Sequence, residues 1–80
     1  METKRLNRKQ FYDALNNGEG YFYCEFEDAV VKIVLEGDKY VEYVKLRGMA
    51  EFKAKPKSGV VAQVWEHPMQ ISKEDYDKFI

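Results

Sequence analysis

A single cysteine, a single histidine and two prolines leave this chain without several common kinds of chemistry. Cys24 has no partner for an internal disulfide, so no covalent staple supports the core, and a reducing, cytoplasmic setting is expected. One His and one Cys fall short of the three or four ligands that a zinc site requires, so no metal or other cofactor is expected. His67 stands before Pro68 with no nucleophile and base arranged around it, so no catalytic residue is expected either. Long apolar runs are missing, and residues 1–10 are charged and polar, unlike a signal peptide, so no element is expected to enter a membrane. Gly18-Glu19-Gly20 opens onto a strand instead of a helix, which excludes a phosphate-cradling loop. Neither sign of charge dominates: 13 Lys+Arg against 14 Asp+Glu give a net charge of -1, a poor footprint for a nucleic-acid field. Length is short too, and 80 residues make one domain, 1–80, that can offer a face but not a deep cleft between subdomains.

What the chain does contain is apolar and aromatic material, at 45% and 15%, enough to fold. Leu6-Asn7-Arg8-Lys9-Gln10-Phe11 reads as a helix start, with Asn7 as cap, Gln10 closing a capping box, and Leu6 stapled onto Phe11. Asn16, Asn17 and Gly18 end that helix. Ile71-Ser72-Lys73-Glu74-Asp75-Tyr76 repeats the grammar near the carboxyl end, and so short a helix must dock through Tyr76, Phe79 and Ile80.

Between the helices lie β-type runs. Residues 21–27 alternate, with Phe22, Cys24 and Phe26 on one face and Tyr21, Tyr23, Glu25 and Glu27 on the other. Residues 29–36 lead into Gly37-Asp38, a two-residue hairpin of type II′ that sets Val34 against Val41, Lys32 against Tyr43 and Val31 against Val44. A loop at Gly48-Met49-Ala50 would pair Leu46 with Phe52 and Lys45 with Lys53, although 49–55 also reads as plain loop. Residues 60–66, apolar on both sides, read as a covered fifth strand. The expected fold is α+β: a curved antiparallel β-meander of four to five strands, or a partly open barrel, with an N-terminal helix and a short C-terminal helix, one or both of them on its inner face.

Two surfaces are candidates for function. Lys45, Arg47, Lys53 and Lys55, with Lys32, Lys57 and Tyr43, would interleave cations with an aromatic ring on a sheet, as single-stranded nucleic acid requires. Lysines there also guard strand edges against aggregation, and Glu42 and Glu51 dilute the field. Tyr21, Tyr23, Glu25 and Glu27, joined by Tyr43 and by Met49 at a loop tip, would suit protein recognition, the alternative being tyrosines that simply cover the core rim. Charge is segregated along the chain: +3 over residues 1–10, -4 over 19–28 and +2 over 36–57.

With its capped helix, meander and closing Ile71-Ser72-Lys73-Glu74-Asp75-Tyr76-Asp77-Lys78-Phe79 segment, the layout resembles the small orphan proteins of bacteriophages and mobile elements. That resemblance implies a stoichiometric inhibitor or adaptor that blocks a larger bacterial host protein, such as a nuclease or defence complex. The expectation is therefore a non-enzymatic protein-binding domain. Its alternative is a small nucleic-acid-binding module using the basic sheet face, and an open meander also leaves edges through which a homodimer could pair.

Overall fold

In the computed structural model, which describes Met1 to Ile80, Asn7 begins the first helix as its spacing predicts. Asn7 Oδ1 accepts from the Gln10 amide at 2.8 Å, and Gln10 Oε1 accepts from the Asn7 amide at 2.9 Å, a reciprocal capping box. The helix, α1 (Arg8–Asn16), follows a two-residue strand, β1 (Lys4–Arg5), and buries Phe11 and Leu15. It ends at Gly18, whose φ of 111° only glycine adopts freely and whose amide caps the Leu15 carbonyl at 3.0 Å. The C-terminal helix, α3 (Lys73–Lys78), is capped by Ser72 Oγ, which accepts from the Asp75 amide at 3.0 Å.

The three long strands are β2 (Glu19–Cys24), β3 (Ala29–Glu36) and β4 (Lys39–Leu46), and the short ones are β5 (Phe52–Lys53) and β6 (Met69–Gln70). They form one open antiparallel sheet in the order β1-β6-β2-β3-β4-β5. Six strands replace the four to five expected, and the sheet does not close into a barrel. The central hairpin has the expected register: Val34 opposes Val41, Lys32 opposes Tyr43 and Val31 opposes Val44. Positive φ falls on Gly37, at 67°, and not on Asp38, as type II′ demands. Against β5, Val44 pairs with Phe52 and Tyr43 with Lys53, two residues from the expected match. The longer loop absorbs the slip, and because strand faces repeat every two residues, Phe52 stays on the expected side.

The main correction concerns residues 60–66. They are not a strand but most of a helix, α2 (Gly59–Glu66), capped by Ser58 Oγ at 3.4 Å from the Val61 amide. Valine favours strands on average, yet Val60, Val61, Val64 and Trp65 recur at helical spacing while Ala62 and Glu66 point to solvent. Tertiary packing decides: Trp65 meets Phe11 edge-on at 4.9 Å and Tyr40 at 5.5 Å, and its indole N–H donates to Glu42 Oε2 at 3.0 Å.

Both faces of the sheet are covered, each by different helices. On the first, α1 and α2 pack Phe11, Leu15, Val61 and Val64, joined by Leu6 just before α1, over Phe22, Cys24, Val31, Ile33 and Val44. The face expected to be free carries α3, so the helices do not share one side: Val30, Ile71, Tyr76 and Phe79 form a second core, edged by Tyr21 and Tyr23. Fully burying each such side chain stabilises by roughly 1.5–3 kcal/mol, which lets a helix too short to persist alone hold its place. Phe26 also departs from expectation. The strand stops at Cys24, which pairs directly with Ala29, and Phe26 is left in the intervening turn, 68% exposed.

Candidate functional site

Strand alternation sends Lys32, Tyr43, Lys45 and Arg47 to the second face, where α3 already lies. Lys45 Nζ donates to the Tyr76 carbonyl at 2.8 Å and the Asp77 carbonyl at 3.3 Å, and sits 4.6 Å from the centre of the Tyr76 ring. A cation thus neutralises the carbonyl end of α3. Lys32 Nζ lies 4.8 Å over the Tyr43 ring and 3.3 Å from Glu51 Oε2, the same oxygen that accepts from the Tyr76 phenol at 2.6 Å. Burial, then the hydrogen bond to Glu51, raises the Tyr76 phenol well above its ordinary value; the same bond, followed by Lys32, holds the Glu51 carboxyl below its own.

Arg47 spans three segments. Its Nε and Nη2 grip both oxygens of Asp28 at 3.0 and 2.9 Å, its Nη1 donates to the Ile80 carbonyl at 3.2 Å, and its guanidinium lies 4.0 Å over the Phe79 ring. The Asp28 carboxyl is lowered chiefly by this fork. The four cations expected to make one basic patch are therefore divided. Lys45 and Arg47 fasten the C-terminal segment, while Lys53 on the edge strand and Lys55 in the following loop are exposed and unpaired.

The expected protein-binding residues divide as well. Tyr21 is half-buried with its ring 5.2 Å from Tyr76, its phenol bonded to Glu19 and raised far above its ordinary value by burial first and that bond second. Tyr23 is half-buried and donates to Asp28 Oδ1 at 3.1 Å, so both tyrosines serve the second core. Tyr43 lies half-buried under Lys32. Glu25, Glu27 and Met49 are exposed, as expected.

Topology gathers these last residues. Cys24 pairs with Ala29 and Ala29 with Leu46, so turn 25–28 and loop 47–51 leave the sheet at the same end, where the Asp28–Arg47 bridge ties one to the other. Phe26, at 68% exposure, and Met49, at 54%, stand at this end. Phe26 was the residue that strand alternation misplaced; the signal available was Glu27-Asp28, polar turn formers ahead of the β-branched run, with Asp28 accepting the left-handed φ of 46°. Beside Phe26, a hollow that Cys24, Gln63 and His67 help to line holds only about 10 Å³, barely one water. Cys24 is buried with Sγ 3.7 Å from Gln63 Oε1, and His67 is exposed beside Glu66 at 3.9 Å. No group of three or more His, Cys, Asp or Glu side chains is placed to hold a metal, and no helix is long and apolar enough to cross a membrane.

No known protein family, curated protein or solved structure matches the chain.

Proposed function

We propose that the protein is a non-enzymatic binding domain that docks on a larger protein through the end of the sheet carrying Phe26 and Met49. The observation that carries this reading is that two large apolar side chains, 68% and 54% exposed, stand at one end of the sheet on segments joined by a bidentate Asp28–Arg47 bridge. Single exposed apolar residues are ordinary, but two on turns at the same end of the sheet, tied by one bridge, offer an apolar end, and a partner fully burying them gains roughly 1.5–3 kcal/mol from each. Glu25 and Glu27 supply a polar rim. We read it further as an inhibitor or adaptor acting on a bacterial host protein in the cytoplasm, a reading that rests on the resemblance of the sequence's layout to small phage proteins. With Lys32, Lys45 and Arg47 engaged, Lys53, Lys55 and Lys57 are too few to support the nucleic-acid alternative.

The test places a photo-crosslinking phenylalanine analogue at position 26 and, as control, at position 38 in the β3–β4 turn at the opposite end. After irradiation in bacterial lysate, a discrete adduct is expected from position 26, weakened by Met49→Ala and absent from position 38. Identical adducts from both positions, or none from position 26, would overturn the reading.

A further inference from the structure

We propose that the partner surface received at this end is basic and amphipathic, an apolar stripe flanked by lysine or arginine side chains. This inference rests on the docking end just described. Phe26 lies between Glu25 and Glu27 in the turn, and both carboxylates are exposed and free of any ion pair. The cations of the neighbouring strand do not offset them: Arg47 is taken up by Asp28 and the C-terminal segment, and Lys45 by the carbonyls of Tyr76 and Asp77. The apolar knob is thus rimmed by uncompensated negative charge.

Charge chooses among the possible occupants. A second copy related by a two-fold axis would put the same unpaired Glu25 and Glu27 on both sides of the interface, a like-charge rim that disfavours association. Phosphate-bearing ligands, whether nucleic acid or anionic lipid headgroups, meet the same repulsion. A basic amphipathic surface alone buries Phe26 and Met49 while its cations meet the two carboxylates at the wet rim. Rim charges of this kind act chiefly on association rate and salt dependence, which gives the inference its readout.

The test titrates two helical peptides into the full isotope-labelled chain, both with the same leucine stripe, one flanked by arginines and the other by glutamates. The arginine peptide is expected to shift the amides of residues 25–28 and 48–51. Its binding should weaken several-fold between about 50 mM and about 300 mM salt, and by about threefold or more in Glu25→Gln/Glu27→Gln, as expected for two rim charges. Equal binding of the two peptides, shifts centred elsewhere, or no shifts with the arginine peptide would overturn the proposal. If position 26 crosslinks while the peptides bind alike, the docking end stands and its preference for a basic partner falls. If Phe26→Ala leaves binding of the arginine peptide unchanged, the docking end itself falls.

Discussion

The Tyr76 phenol donates a 2.6 Å hydrogen bond to Glu51 Oε2, joining the C-terminal helix to a loop 25 residues earlier in the chain. Lys32 holds the same carboxylate from the sheet at 3.3 Å, and Lys45 stands 4.6 Å from the ring of the same tyrosine. One buried ring thus links helix, loop and two strands. Its loss has separable polar and apolar consequences.

Tyr76→Phe keeps the ring and removes the donor, leaving Glu51 with Lys32. A loss of about 1–2 kcal/mol is expected from urea unfolding, since the acceptor is charged. Tyr76→Ala also empties a site that is only 1% exposed and is expected to cost about 3–5 kcal/mol.

Low pH should undo the same contact. The Glu51 carboxyl is held below its ordinary value by Tyr76 and Lys32, and the Asp28 carboxyl by Arg47. A lowered folded-state value means that the unfolded chain binds the proton first as pH drops, so the stabilisation is complete above the ordinary value and disappears as pH falls through the folded one. Urea midpoints measured downward from neutral pH should therefore fall more steeply in the wild type than in Glu51→Gln.

High pH acts through the phenols. Burial raises Tyr76 and Tyr21 above their ordinary value of 10.0, so the folded state keeps protons that the unfolded state releases. Their stabilisation is intact below that value and is lost as pH climbs beyond it. Tyrosinate absorbance should show these two phenols, with Tyr23, which burial also raises, ionising late, in step with alkaline unfolding.

Gly20 is tightly confined. A methyl group there would meet Phe22 Cε2 at 2.8 Å and Cζ at 2.9 Å, and that ring is fully buried. Gly20→Ala should cost about 1–3 kcal/mol by overpacking, measurable by thermal unfolding.

Residue 62 distinguishes the helix from the strand expected there. Ala62 is exposed in α2 and its amide bonds the Ser58 carbonyl at 3.0 Å. Ala62→Val should destabilise by about 0.5 kcal/mol in a helix, whereas a strand would gain from the same change, and Ala62→Pro should cost about 3 kcal/mol or more.

These positions also show what could be read from the sequence. The β3–β4 pairing was legible because a two-residue turn with glycine first admits one register, and Asn7 with Gln10 at box spacing admits one helix start. Residues 60–66 misled because five apolar positions in seven satisfy an apolar strand and a helix equally, and valine's average preference favoured the wrong one; Ser58 as cap was the local signal against it. The proposed docking end was half legible. Met49 at a loop tip and the carboxylates of 25 and 27 follow from local pattern, but Phe26 required knowing where β2 stops. That α3 would cover the tyrosine face could not be read at all, because the spacing of Tyr76 and Phe79 shows that a helix must dock without showing on which side of the sheet.

The pairing of β1 with β6, Arg5 against Met69, joins segments near opposite ends of the chain. During synthesis, a nascent chain extended only through Leu46 would have the three long strands but neither α2 over Val31 and Ile33 nor Tyr76 and Phe79 over Val30. Hairpin contacts are local and form early, while α2 and α3, which complete the cover that α1 begins, follow later in the sequence. The three-stranded unit therefore keeps part of each face open until α2 and α3 dock on it.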